Sequence, residues 1–256
     1  MKLLLVLPTA GSPAPVFLES LGTLDLLPSV TAFERLTVTG NYIPGQRELA
    51  ARRARAMSAD IMIMLDDDMV VPPHALAAIV DAFAGDPQLG IVGALYYSRD
   101  GLRPMAATHW SSGDTTTAAI PAFTDGLTYV DAIGFGCVGV RVSALDALRP
   151  PYYSAHVFIE ESANRVRICN EDYLLCERMR EAGFRIGLHA GIRCKHFDRA
   201  SGIAHPLAWE DATLTAHERM LVVEPGPTYR LLPYDAKAAR ASEHHARSTV
   251  DYISLD

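Results

Sequence analysis

The chain has 256 residues, 23 basic and 30 acidic, for a formal net charge of −7. With 49% hydrophobic and 21% charged residues, it falls outside the disordered, collagen-like and coiled-coil classes and can bury the core of one large α/β domain or two small ones. The acidic balance argues against a protein that coats nucleic acid or an anionic membrane, though a local basic groove stays compatible with it.

In chain order, Leu3–Leu7 is a short apolar run closed by Pro8, Thr9, Ala10 and Gly11. It reads as a buried first strand, since it falls short of the roughly 7–15 residues of a secretory apolar region. Val16–Leu24 has helical character. Arg35–Thr39 is an alternating, β-branched second strand that stops at Gly40 and Asn41. Gln46–Ser58 is rich in helix formers. Ile61–Leu65 is a continuous apolar strand running into Asp66, Asp67 and Asp68. Pro72 and Pro73 open a helix over His74–Ala84, and Gly90–Tyr97 is another buried strand. This alternation predicts a mostly parallel sheet with helices on both faces.

Ser98–Thr128 reads as loops and short strands around a site. Tyr129–Val142 reads as a glycine-spaced strand pair or a bulged strand, the glycines suiting close backbone approach. Residues 150–168 form a connection. Glu171–Ala182 is a helix stopped by Gly183, and Arg185–Phe197 holds one or two strands. Residues 198–256, with Pro/Gly breaks and a polar end at His244 and His245, form a peripheral extension. Cys137, Cys169, Cys176 and Cys194 make no CxxC pair and read as reduced, buried thiols. No run approaches the roughly 18 apolar residues of a membrane span.

The aspartate triplet is the sharpest feature. It lies at the carboxyl end of a buried parallel strand, where open α/β sheets place ligands. Three adjacent carboxylates repel one another, and Mg²⁺ or Mn²⁺ would offset that cost. One Asp would suffice to cap the following helix.

Asp66–Val70 (DDDMV) resembles the DxDx(T/V) motif of haloacid-dehalogenase-like phosphatases, which gives the alternative reading, a phosphohydrolase using Asp66–Asp68. That motif belongs on a first strand and needs a later lysine; Lys195 is the only central one. A nucleotidyltransferase would need a GxGxRxxPxxK-like loop, which Leu7–Pro15 lacks. A non-catalytic binding module would keep the fold without the chemistry.

The broader resemblance is to GT-A glycosyltransferases of the family 2 type, particularly their short phage and bacterial forms. Pro8 and Thr9 resemble the loop that meets the nucleotide base. Gly45–Leu49 (GQREL) resembles an ARN-x-L helix start, and Leu65–Pro72 (LDDDMVVP) the DxD metal strand. Ile133–Val140 (IGFGCVGV) resembles the strand flanking the donor sugar, Asn170–Phe184 the "ED" helix, and Lys195, His196 and Phe197 the late strand whose histidine completes the metal shell. The motifs run in family order across residues 3–197.

The resemblance implies a GT-A fold, a Rossmann-like α/β domain over residues 1–197 with residues 198–256 packed on or beside it. It implies Mn²⁺ or Mg²⁺ and a nucleotide-sugar donor, UDP-sugar ahead of GDP-sugar. Asp68, Asp66 and His196 are the implied metal ligands, with Asp66 and Asp67 also placed to hold the ribose or a metal-bound water. Pro8, Thr9, Arg47, Gly134 and Gly136 would meet the rest of the donor, and Lys195 could offer charge to the phosphates. Asp172, with Glu171, would deprotonate an acceptor hydroxyl in an inverting hexosyl or pentosyl transfer. Thr39, Gly40 and Asn41 stand where many relatives carry the Asp that binds uracil, so base recognition is open. So is the acceptor: a modified DNA base, a saccharide or a protein. A cytoplasmic enzyme is expected; oligomeric state is not readable. Arg52, Arg53 and Arg55 read as a solvated helix face, and Trp110 as either a stacking platform or core packing.

Overall fold

The computed structural model of the protein describes residues 1–25, 29–112, 125–160, 165–207 and 229–230. Its elements are β1 (Lys2–Thr9), α1 (Pro15–Leu21), β2 (Ala32–Thr39), α2 (Ile43–Ala56), β3 (Ile61–Leu65), β4 (Met69–Val70), α3 (Ala75–Gly85) and β5 (Leu89–Leu95). There follow β6 (Ala106–Ala107), β7 (Leu127–Val130), β8 (Ala132–Ile133), β9 (Cys137–Arg141) and a 3₁₀ turn (Val142–Ala147). The chain continues through β10 (His156–Glu160), β11 (Arg165–Cys169), α4 (Glu171–Glu181), β12 (Arg185–Arg193), β13 (Lys195–Asp198), β14 (Ile203–His205) and β15 (Tyr229–Arg230).

The seven-stranded central sheet has the order β2-β1-β3-β9-β5-β12-β7. β1 pairs in parallel with β2 and β3, and β5 with β12. β9 lies antiparallel between β3 and β5, and β7 antiparallel on β12. The sheet is therefore mostly parallel. The inner strands β1, β3, β5 and β9 are almost wholly buried because both faces are covered, whereas the edge strand β2 is largely exposed. On one face Leu4, Val6, Met62 and Met64 pack against Ala50, Ala51 and Ala54 of α2 and Leu175, Cys176 and Met179 of α4. On the other, Leu3, Leu5, Ile61 and Ile63 pack against Phe17 of α1 and Ile79, Val80 and Phe83 of α3.

Helix boundaries follow local chemistry. Pro15 starts α1, where a missing N–H costs nothing. α4 carries Glu171 and Asp172 in its first turn and Arg178 and Arg180 in its last, each sign matched to the helix dipole. Gly183, at φ +88°, follows its end. All four cysteines are buried.

The structure departs from the sequence expectation in two places. Residues 150–168 are more than a connection: β10 and β11 pair as an antiparallel hairpin. The stretch Tyr129–Val142 supplies three strands, with β9 threaded into the sheet centre. The expected loops continue to residue 112; residues 113–124 lie outside the described residues, as does nearly all of the stretch after residue 207, including His244 and His245. Among the described residues, no helix is long and apolar enough to cross a membrane.

Candidate active site

The aspartates sit where β3 ends. The Asp66 amide donates to the Gly136 carbonyl at 2.9 Å and the Met69 amide to the Asp66 carbonyl at 3.2 Å, turning the chain into β4. β4 pairs with β13 so that His196 lies opposite Met69. The Phe197 amide donates to the Asp68 carbonyl at 2.8 Å. This small sheet brings a residue 128 positions later in the chain back to the triplet.

Each aspartate has different partners. Asp66, half-buried, accepts from Arg47 Nη2 with both oxygens at 3.0 Å. Burial raises its carboxyl above the ordinary range even against that cation. Asp67 accepts from Thr9 Oγ1 at 2.5 Å and Arg199 Nη2 at 2.9 Å. Asp68 is 4% exposed. Its Oδ2 accepts from Arg99 Nη2 at 2.6 Å and lies 3.4 Å from His196 Nε2. Burial works against ionisation there, and hydrogen bonds from His196 and Arg99 outweigh it, holding the carboxyl below its usual range.

The His196 ring is fixed from behind. Its Nδ1 lies 3.0 Å from the Tyr97 carbonyl, which can only accept, so Nδ1 carries a proton. Tyr96 meets the ring edge-on at 5.7 Å. Nε2, 3.4 Å from Asp68 Oδ2, donates toward that carboxylate when protonated and would offer its lone pair to a cation once that proton is lost. One carboxylate oxygen and one imidazole nitrogen fit Mn²⁺ better than Mg²⁺, which prefers an all-oxygen shell. Among the described residues no group of three His, Cys, Asp or Glu side chains converges as a metal site, so the other ligands would be donor phosphate and water.

Arg47 occupies a different place from the one expected. It is 3% exposed, with Nη2 on Asp66 and Nη1 on Glu171 Oε1 at 2.5 Å. Burial alone would lower its pKa; Asp66, Glu171 and Asp172 outweigh that and raise it. Its Nη groups are taken by carboxylates beneath the site, so it is a buried counter-ion and not an open donor contact. Asp172, half-buried one residue beyond Glu171, is pushed up to about 7 by burial and then by the Glu171 carboxylate, with Arg47 acting in the opposite sense.

Thr9 is buried at the end of β1 beside Pro8. Gln46 Nε2 ties this corner together through the carbonyls of Thr9 at 2.7 Å and of Val38 and Gly40 at 3.0 Å. Gly134 and Gly136 have their own packing reason. A Cβ at Gly134 would sit 2.2 Å from Tyr96 Oη, and one at Gly136 2.8 Å from Met69 Sδ. Lys195 Nζ donates to the Leu207 carbonyl at 3.1 Å. Trp110, half-buried, meets Tyr173 edge-on at 5.2 Å and packs against the core. Arg52, Arg53 and Arg55 are exposed and pair with Glu48, Glu34 and Asp146.

Sequence reasoning passed over Arg99, Arg199, Tyr96 and the clasp role of Gln46. For Arg99 a signal existed: it is the first charged residue after the carboxyl end of a buried strand, where ligands gather in α/β sheets.

This sheet order, with an aspartate turn closing the third strand, defines a GT-A fold glycosyltransferase. The chain belongs to the glycosyltransferase-like family 2, whose model matches residues 33–211. Among solved structures, A197 from STIV is similar at TM-score 0.55 and 16% identity, over 77% of this chain and 86% of that one. GalNAc-T7, solved with UDP, GalNAc and Mn²⁺, is similar at TM-score 0.53 and 11% identity, over 77% of this chain and 44% of its own. No curated protein sequence matches. Family membership removes the phosphohydrolase reading of Asp66–Asp68.

Proposed function

We propose that the protein transfers a sugar from a nucleotide-sugar donor to an acceptor hydroxyl, with a divalent cation and with inversion at the sugar carbon. The observation that carries this is the approach of His196 Nε2 to Asp68 Oδ2 at the end of β3. Asp68 and His196 would hold Mn²⁺ or Mg²⁺, with Asp66 bordering the same position. When bound there, the cation stabilises the charge that develops on the leaving diphosphate.

The remaining roles fall to the chain. Thr9 orients the Asp67 carboxylate, which stands beside the position for the ribose or a metal-bound water. Pro8 and Thr9 border the base, and Gly134 and Gly136 keep backbone close to the sugar. Asp172 takes the proton from the acceptor hydroxyl as that oxygen bonds to the sugar carbon and the diphosphate leaves. Its raised pKa matches a base working near neutral pH. Glu171 binds Arg47 and so is the lesser candidate. UDP-sugar is favoured over GDP-sugar, and residues 198–256 are assigned as an extension beside the catalytic domain.

Calorimetry with UDP- and GDP-sugars in the presence of Mn²⁺ tests the reading. It is expected to show nucleotide binding that Asp68→Ala abolishes. No binding of any nucleotide would overturn it. Incubation with hydroxymethylated DNA, followed by mass spectrometry of nucleosides, separates a modified-base acceptor from a saccharide or protein.

A further inference from the structure

Asp68 is already held by a cation from the chain itself. Arg99 stands just beyond β5, on a turn over residues 98–103. The turn is fixed by its own hydrogen bonds: the Ser98 amide donates to the Arg103 carbonyl at 2.7 Å, and the Gly101 amide to the Ser98 carbonyl at 2.8 Å. Gly101, at φ +71°, lies so close to β14 that a Cβ there would be 2.7 Å from His205 Nδ1. His205 pairs with His196 across β13 and β14. The turn that carries Arg99 is therefore braced against the strand that carries His196.

From this turn, Arg99 Nη2 and Nε reach Asp68 Oδ2 at 2.6 and 3.2 Å. That is the oxygen His196 Nε2 faces. The two partners differ in setting: the Asp68 side chain is 6% exposed and that of Arg99 62%. A buried carboxylate without a partner is costly, whereas a long, solvated arginine leaves such a pair at small cost.

We infer that Arg99 competes with the divalent cation for Asp68 Oδ2, neutralising the carboxylate until the metal takes that oxygen and Arg99 lets go. The inference rests on the metal reading proposed above. It makes metal binding in the absence of donor weaker than the ligands alone would give.

The test is titration calorimetry of Mn²⁺ into the full chain without nucleotide. Arg99→Ala is expected to tighten Mn²⁺ binding about fivefold, the release of a half-exposed pair worth about 1 kcal/mol. Arg199→Ala removes the same charge from neighbouring Asp67 and is expected to change the affinity by less than about twofold. Unchanged or weaker binding in Arg99→Ala, or equal tightening in both variants, overturns the competition. Asp68→Asn separates the two levels. Loss of Mn²⁺ binding in that variant supports the metal reading, whereas undiminished binding overturns that reading and the inference with it.

Discussion

Arg47 shows how one side chain links stability to chemistry. Its guanidinium holds Asp66 and Glu171 together inside the protein. Arg47→Gln would leave two carboxylates with no cation, and a loss of about 3–5 kcal/mol is expected from urea denaturation midpoints. Asp172 belongs to the same group of charges. Its carboxyl is pushed up to about 7, so as the proposed base it would be protonated and inactive below that pH. The kcat/KM for sugar transfer should rise about tenfold per pH unit up to that value and then level off. Stability runs the other way. Because the folded pKa lies above the unfolded one, the contribution of Asp172 is complete below about 4 and is lost as pH rises through 7. Asp172→Asn should remove the pH limb, lower kcat by about 10²–10⁴-fold and leave Mn²⁺ affinity unchanged, as calorimetry would show. The carboxylates were visible in the sequence as a triplet and a pair. Arg47 was visible as a site residue, but not as the cation between them, because its partners are 19 and 124 positions away.

The elements owe their fit to small residues. Gly139, on the antiparallel β9, leaves room for α3: a Cβ there would lie 2.4 Å from Ile79 Cγ2 and 2.9 Å from Phe83 Cε2. Gly139→Ala should cost about 1–3 kcal/mol by overpacking. Combined with Ile79→Ala the loss should be less than additive, a coupling readable from denaturation of the four variants. Gly134 and Gly136 follow the same logic toward Tyr96 and Met69 in the bend between β8 and β9, where the Gly136 carbonyl receives the Asp66 amide. The sequence marks this stretch as glycine-spaced and unusual. It cannot show that the neighbours are a tyrosine and a methionine of the protein itself. Nor could it show that β9 enters the sheet reversed, because a central antiparallel strand and a parallel one bury the same apolar residues.

For the molecule as a whole, ligand and fold are coupled. The proposed metal and donor bind only where β3, β5 and β13 converge, so they stabilise the native state over the unfolded chain. Mn²⁺–UDP, bound as one unit at about 100 times its dissociation constant, should add about 2.7 kcal/mol, seen as a higher Tm, and Asp68→Asn should erase the shift. Local pattern alone determined the α/β class, the order of the main strands and helices, and the aspartates at a strand's carboxyl end. These follow from short-range rules: continuous apolar runs, prolines at helix starts and a glycine at a helix end. Tertiary structure decided which residues meet there. The approach of His196 to Asp68, the burial of Arg47, the grip of Arg99 and the Gln46 clasp all join positions far apart in the chain. Such contacts depend on sheet order and on β13 folding back over β4, and neither is written in the periodicity of any one segment.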